Sequence, residues 1–221
     1  MKIFRGFHHP GIARACALTI GNFDGVHRGH QAMLALLNSE AAHRGVESCV
    51  LTFEPHPRDY FAGALHKPDL APARISTLRD KLTELARCGV QQTVVLPFDA
   101  KLAAQSPEAF IDEVLVQGLG ARYVLVGDDF RFGRQRAGDY AMLDAAGQTQ
   151  GFDVARMNSY EVSHPHAPHF VSSLPPEGAG PALGRPGGGA GLDWNYEGEE
   201  SGVAAVYDEM RQAMHASIEG I

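Results

Sequence analysis

Short apolar segments rich in β-branched residues alternate with longer amphipathic segments along most of this chain. The apolar segments have the length and composition of buried strands, whereas the longer ones repeat apolar residues every three or four positions, as one face of a helix does. This alternation is typical of an α/β fold in which helices flank a parallel sheet. The predicted strands are 17–23, 46–53, 92–98, 122–127 and 152–162.

Four helices are predicted between these strands, and capping residues mark several of their ends. Gly45 ends the first helix, because glycine adopts the left-handed conformation of a helix C-terminus at little cost. Ser106 and Pro107 begin the third as an N-cap followed by proline at the first helical position. Asp139 caps the fourth. The predicted helices are 27–45, 76–89, 106–119 and 139–146.

The composition changes after residue 173. Between residues 174 and 191, 7 of 18 residues are glycine and 4 are proline. Such a segment buries little apolar surface and loses much backbone entropy on ordering. We therefore predict a domain at 1–173, followed by an irregular tail made of a disordered Gly/Pro-rich linker at 174–201 and a terminal amphipathic helix at 202–221.

The overall composition predicts a globular cytoplasmic protein. Hydrophobic residues make up 44% of the chain and the formal net charge is −7, which argues against a broad surface for nucleic acid. The three cysteines lie far apart without a CxxC pair, which argues against a disulfide framework and a structural zinc site. No signal peptide or membrane-spanning run is found, and no partner protein can be inferred. Anionic ligands therefore need a local site.

The segment GNFDGVHRGH, residues 21–30, lies between the first strand and the first helix. Ligands of open parallel sheets bind at the carboxyl ends of strands, where a helix N-terminus offers N–H groups and partial positive charge to an anion. His27 and His30 lie three positions apart there, so both rings can donate hydrogen bonds to one phosphate. The alternative is a turn with two surface histidines. Neither the Walker A pattern nor GxGxxG is present.

Two further segments leave predicted strands at the same edge of the sheet. In TFEPHP, residues 52–57, two prolines restrict the backbone around His56. VGDDFRFG, residues 126–133, offers carboxylates and aromatic rings that suit a ribose or a base. Either segment alone has an ordinary interpretation as a surface loop. Because three such segments meet at one edge, we predict a ligand site there.

These three segments, in this order and spacing, closely resemble the FMN adenylyltransferase module of bacterial bifunctional riboflavin kinase/FAD synthetases. The resemblance covers residues 1–173. It implies a Rossmann-like nucleotidyltransferase fold that transfers the adenylyl group of ATP to the substrate FMN, giving FAD and pyrophosphate. It also implies Mg²⁺ bound with ATP, and we assign no residue of this chain as a metal ligand.

The resemblance further implies residue roles. His27 and His30 are expected to be catalytic, stabilising the phosphates of ATP as charge develops during transfer. The residues expected to bind FMN are Pro55, His56, Pro57 and Arg58. The residues expected to bind ATP are Gly21, Asn22, Phe23, Asp24, Gly29, Gly127, Asp129, Phe130, Ser172 and Ser173.

The chain departs from the family pattern after Ser173. The family carries a motif of the form ISSTxIR there, but here Leu174 follows Ser173 and Glu177 stands at the arginine position. A carboxylate facing phosphates replaces attraction by repulsion. The riboflavin kinase domain is also absent, so we hypothesise an altered reading frame after Ser173. Three functions stay open: an FMN adenylyltransferase whose activity the altered C-terminus would impair, a non-catalytic flavin or nucleotide-binding remnant, and an HxGH nucleotidyltransferase with another acceptor, such as phosphopantetheine or a phosphoalcohol.

Overall fold

A six-stranded sheet, parallel throughout, organises the computed structural model, which describes residues 1–71 and 73–157. The spatial order of its strands is β1-β4-β3-β2-β5-β6, and every neighbouring pair runs parallel. The strands are β1 (Lys2–Arg5), β2 (Cys16–Ile20), β3 (Glu47–Glu54), β4 (Gln92–Pro97), β5 (Ala121–Gly127) and β6 (Asp153–Met157). The α/β parallel-sheet fold predicted from the sequence is therefore confirmed.

Helices connect these strands. They are α1 (Arg28–Arg44), α2 (Pro57–Ala64), α3 (Leu78–Arg87), α4 (Ala100–Ala104), α5 (Pro107–Ala109) with its π-helical continuation (Phe110–Gly118), and α6 (Tyr140–Gln150). Three predicted caps are confirmed: Gly45 has φ +65°, and the side chains of Ser106 and Asp139 accept hydrogen bonds from the third residue beyond each. Among the described residues, no helix is both long and apolar enough to cross a membrane.

Helices cover both faces of the sheet. Alternate strand residues belong to two different core clusters, because successive side chains of a strand point to opposite faces. One cluster joins Val50 of β3 to Leu34 and Leu37 of α1 and Leu85 of α3. The other joins the neighbouring Leu51 to side chains of the π-helix and α6. The result is three layers with the sheet in the middle.

Several elements differ from the sequence prediction. β1 was not predicted, because Phe4 is its one buried residue and a mostly exposed edge strand has no apolar run. α2 is also absent from the prediction: the two prolines around His56 indicate a rigid loop, whereas Pro57 occupies the first turn of a helix, where its fixed φ is favourable. α4 was also not predicted. β2 ends at Ile20, so the predicted end of that strand belongs to a loop.

α3, which corresponds to the second predicted helix at 76–89, buries a different face from the one predicted. The apolar spacing assigns Leu78, Leu82, Leu85 and Ala86 to the core. Leu85 is buried as expected, but Ala86 is exposed and the other two are half-buried. Lys81, one turn before Leu85 and so on the same face, is fully buried. The interior therefore receives a cation that the hydrophobic pattern did not predict.

The predicted tail, made of the linker at 174–201 and the terminal helix at 202–221, lies outside the described residues. So do Ser172, Ser173 and the part of the last predicted strand beyond Met157.

The packing of α1 predicts a sharp difference between two adjacent leucines. Leu37 is 0% exposed in the core, whereas Leu36 is 41% exposed. Leu37→Ala is expected to lower the free energy of unfolding by about 2–5 kcal/mol through lost burial and a cavity. Leu36→Ala is expected to change it by about 0.5 kcal/mol or less. Urea denaturation of both variants measures the difference, and equal losses would contradict the placement of this helix face.

Candidate functional site

The three chemically distinctive segments follow strands that are neighbours in the sheet. β2 pairs with β3 on one side and β5 on the other, and all three run in the same direction. The chain passes from β2 to β3 and later crosses to β5 on the opposite side of β2. Such a switch point opens a crevice at the carboxyl ends of the strands. The predicted convergence of the three segments at one edge is therefore confirmed.

The loop after β2 holds its shape through unusual backbone conformations and a close contact. Phe23 is buried although its φ is +50°, a region that costs a non-glycine residue energy. Gly25 has φ +62°, and a Cβ there would lie 2.7 Å from Ile75 Cγ2. The carbonyl of Asn22 accepts a hydrogen bond from Thr52 Oγ1 at 3.2 Å. The loop is therefore held by Thr52 of β3 at one end and packed closely against Ile75 at the other.

The two histidines of this segment form a stacked pair at the start of α1. His27 is the N-cap, and its Nδ1 accepts from the backbone N–H of His30 at 3.3 Å. Because Nδ1 is the acceptor, the neutral ring carries its proton on Nε2, which can donate to a ligand. The two ring centroids lie 3.7 Å apart. Gly29 leaves room for the His27 ring, because a Cβ at position 29 would lie only 3.2 Å from atoms of that ring.

Partial desolvation favours the neutral form of both rings. It lowers the pKa of His27, and it lowers the pKa of His30 to about 4, with a smaller contribution from the neighbouring His27. The Phe23 ring lies 4.9 Å from that of His30. His30 Nδ1 is buried and has no hydrogen-bond partner among the described residues. The pair therefore offers uncharged N–H donors at a helix N-terminus.

Asp24 is occupied by contacts within the protein. Its carboxylate accepts hydrogen bonds from the N–H groups of Ile75 and Ser76 and from the Ser76 hydroxyl, at 3.0–3.1 Å. Burial alone would raise the pKa of Asp24, but these hydrogen bonds outweigh it and hold the pKa below its usual value. Asp24 therefore ties the loop after β2 to the residues that precede α3.

The TFEPHP segment places a histidine inside the protein. His56 is 8% exposed and caps α2, with its Nδ1 accepting from the Arg58 N–H at 3.1 Å. Burial, followed by the charge of Arg74, lowers the pKa of His56. Pro55 is exposed, and Pro57 and Arg58 are half-buried. The predicted flavin residues therefore surround the start of a helix.

An aromatic cluster beside His56 was missed by the sequence analysis. The ring of Phe98, just after β4, has edge contacts of 5.5–5.8 Å to the rings of three residues. These are Phe53, Tyr60 and Phe61. The sequence signal that could have found it is the position of Phe98 at the carboxyl end of a strand, at the same sheet edge as the other segments. The cluster forms an apolar wall next to polar groups.

A charged cluster was also missed. Arg74 pairs with Asp59 at 2.7 Å and with Glu54 at 3.4 Å, and its Nε is buried without a partner among the described residues. Arg74 lies next to the two residues held by Asp24, so the loops after β2 and β3 share one support. We call Arg74, Asp59 and Glu54 the Arg74 cluster.

The loop after β5 forms the other side of the crevice. Phe130 donates its N–H to the Gly127 carbonyl at 3.4 Å, which closes a turn, and its ring stacks on Phe132 with centroids 5.4 Å apart. Asp129 is exposed. A Cβ at Gly127 would lie 3.8 Å from Met33 of α1, so this turn and the first helix lie side by side.

The comparison with known families decides what this arrangement belongs to. The family model described as FAD synthetase matches residues 9–168. The chain belongs to the FAD synthetase family. This confirms the resemblance that the three segments suggested.

Similar proteins agree with this membership. The bifunctional riboflavin kinase/FMN adenylyltransferase of Escherichia coli (strain K12) is 44% identical over 162 residues, which are 72% of this chain and 50% of that protein. The protein of the same name from Pseudomonas fluorescens is 45% identical over 163 residues, 73% of this chain and 50% of its own. The chain thus spans about half the length of these relatives.

A solved structure supports the fold alone. A crystal structure described as a macrolide-efflux protein from Streptococcus pneumoniae matches with a TM-score of 0.58 and 20% identity. The match covers 73% of this chain and 51% of that one.

The half-buried His30 predicts acid-sensitive stability. Its pKa is about 4 in the folded protein against an ordinary value of 6.5, so the unfolded state binds more protons between these values. Stability should therefore fall as the pH drops from about 6.5 to about 4, by a contribution on the order of 3 kcal/mol. His30→Gln cannot titrate and should lose less stability over this window. Urea denaturation at pH 7 and pH 4 measures how much the free energy of unfolding of the wild type and of His30→Gln falls between these pH values. His43→Gln, at an exposed position, is the control and should show the same fall as the wild type.

Proposed function

We propose that this chain is an FMN adenylyltransferase, which transfers AMP from ATP to FMN and releases pyrophosphate. The observation that carries the proposal is the stacked His27–His30 pair at the N-terminus of α1, at the switch point of the sheet. Membership of the FAD synthetase family supports the same reaction.

The ATP side of the proposed site is the crevice between β2 and β5. The N-terminus of α1, the Nε2–H of His27 and the neutral ring of His30 suit a phosphate chain. Gly21, Asn22, Phe23 and Gly29 would shape the backbone against the nucleotide. On the other side, Gly127, Asp129 and Phe130 would contact the adenosine. Asp24 would act here by holding the loop, since its oxygens already accept three hydrogen bonds.

The flavin side is proposed at the end of β3. Pro55, His56, Pro57 and Arg58 surround the first turn of α2, and the aromatic wall around Phe98 lies beside them. An apolar wall with a few fixed polar groups is the usual surface for a planar organic ligand. We place the isoalloxazine ring against this wall, with the FMN phosphate directed towards α1.

The chemistry asks for alignment and charge stabilisation. A phosphate oxygen of FMN attacks the α-phosphorus of ATP, a new P–O bond forms, and the bond to the bridging oxygen of pyrophosphate breaks. No covalent enzyme nucleophile is needed. The histidine donors would stabilise the charge that grows on the phosphate oxygens, and α1 would hold both rings in place.

We propose that Mg²⁺ enters with ATP as part of the substrate. Among the described residues, no group of three or more His, Cys, Asp or Glu side chains could hold a metal ion by itself. A magnesium ion on ATP usually keeps water and phosphate ligands and needs few protein carboxylates. The three cysteines are free thiols, which fits the reducing cytoplasm that the substrates suggest.

The direct test is synthesis of FAD. Purified protein with ATP, Mg²⁺ and FMN is expected to form FAD, followed by chromatography. His27→Ala should lower kcat by about 10²–10³, because a donor to the developing charge is lost. His27→Asn should lower it similarly although asparagine keeps a helix-capping acceptor. His43→Ala, an exposed histidine on the same helix, should stay within about twofold of wild type, as expected for a surface substitution.

The other functions left open by the sequence give different results in the same assay. Binding of ATP or FMN without FAD formation would identify a non-catalytic remnant. Absence of flavin binding, with adenylyl transfer to a phosphopantetheine or phosphoalcohol acceptor, would identify a different nucleotidyltransferase. The aromatic wall beside His56 favours the flavin over these smaller acceptors.

A further inference from the structure

Lys81 is a buried cation whose position the fold does not require. It is 0% exposed on the inner face of α3 and is the one Lys, Arg, Asp or Glu buried to this degree within residues 1–71 and 73–157. Burying a charge carries a large desolvation cost, and apolar side chains of similar volume are often at least as stabilising. Burial, and then the charge of Arg74, lowers the pKa of Lys81. A role outside core packing would explain why a cation is buried here despite its desolvation cost.

The single hydrogen bond of the Lys81 ammonium within the described residues leads to the candidate site. Nζ lies 3.4 Å from Thr52 Oγ1, near the carboxyl end of β3, and no carboxylate in this part of the chain lies within 4 Å of Nζ. Asp24 and Glu54 act on this charge only at longer range. The ammonium is therefore satisfied by a hydroxyl rather than by an ion pair.

This contact fixes the direction of the Thr52 hydroxyl. An ammonium group can only donate, so Thr52 Oγ1 accepts from Lys81 and has its own single proton left to give. The Asn22 carbonyl lies 3.2 Å from the same oxygen and receives that proton. Two hydrogen bonds in series thus connect α3, β3 and the loop after β2. Each polarises the other in a buried setting.

The carbonyl held by Thr52 precedes the most constrained residue of the loop. Asn22 is followed by Phe23 with φ +50°, and the Phe23 ring packs 4.9 Å from that of His30. Moving the Asn22 carbonyl would let this backbone relax and would remove the support of the His30 ring.

We infer that Lys81 is a positioning residue, which holds the Asn22 carbonyl through the Thr52 hydroxyl and thereby keeps the His27–His30 pair in place. Its kinetic consequence rests on the proposed adenylyl transfer. The hold on the loop is a property of the protein alone and can be measured without any substrate.

Four variants of the full chain separate this relay from general stability. Thr52→Val and Lys81→Met each remove one end of the relay with little change of volume. Thr52→Ser keeps the hydroxyl. Thr93→Val is the matched control, because Thr93 is equally buried on the neighbouring β4 and its hydroxyl contacts Met1 Sδ instead of a site loop.

The first readout is amide hydrogen exchange of residues 21–27 in the protein without ligands. Thr52→Val and Lys81→Met should speed exchange there at least about threefold, whereas Thr52→Ser and Thr93→Val should match wild type. The double variant Thr52→Val/Lys81→Met should exchange no faster than Thr52→Val, because both changes break one connection.

The second readout is kcat for FAD formation. Each disruptive variant should lose about tenfold, as expected for one hydrogen bond, and the double variant should also lose about tenfold instead of about a hundredfold. Thr52→Ser should restore the rate to within about threefold of wild type. A role in stability alone would lower the melting temperature of Lys81→Met and leave kcat per folded molecule unchanged.

Several results would overturn the inference. Wild-type exchange in the loop of folded Lys81→Met would do so, as would losses that multiply in the double variant. If Lys81→Met does not fold, Thr52→Val and Thr52→Ser still decide, because equal exchange in both would contradict the relay. If the wild type forms no FAD, the proposed function fails, and the exchange measurements test the relay independently.

Discussion

Parallel pairing of β2 between β3 and β5 is the constraint from which the site follows. Parallel neighbours need crossover connections, so helices must cover both faces of the sheet and all carboxyl ends must meet at one edge. The reversal of strand order at β2 then leaves a crevice there that no crossover fills. The segment containing His27 and His30 enters α1 directly from this edge, so sheet topology, more than any single contact, brings the histidines to the mouth of the crevice.

The backbone support of the crevice is mainly polar. Asp24 ties the loop after β2 to Ser76, and Arg74 ties the same region to Glu54 at the end of β3 and to Asp59 of α2. Exposed ion pairs contribute little to stability, but Arg74 and its carboxylates are partly buried, and Asp24 accepts hydrogen bonds from two backbone N–H groups. Their contribution is therefore geometric: the loop after β2, the segment before α3 and the start of α2 keep one arrangement. The proposed reaction, which acts by alignment, would need this.

Sequence reasoning found what local patterns encode. Apolar periodicity and capping residues such as Gly45 and Ser106 defined the sheet and most helices, and motif position defined the shared edge. It missed α2 because two prolines around a histidine suggest a loop, although Pro57 suits a first helical turn. It missed Lys81 because hydrophobic patterning assigns cations to the surface. The Arg74 cluster and the Phe98 contacts join residues far apart in sequence, and no local pattern carries that information.

The electrostatics of the site bear on how an acidic chain could bind the polyanionic substrates proposed for it. The net charge of −7 provides no long-range attraction, and partial desolvation favours the neutral forms of His27 and His30. Arg74 is already paired with carboxylates. In the proposed site, short-range donors therefore carry much of the recognition: the N–H groups at the start of α1, the Nε2–H of His27 and the neutral ring of His30. Such donors gain strength as negative charge grows on a phosphate oxygen, so in the proposed reaction they would favour the transition state over the bound substrate. Loop geometry thus becomes the determinant of rate, because a hydrogen bond loses its strength with small displacements.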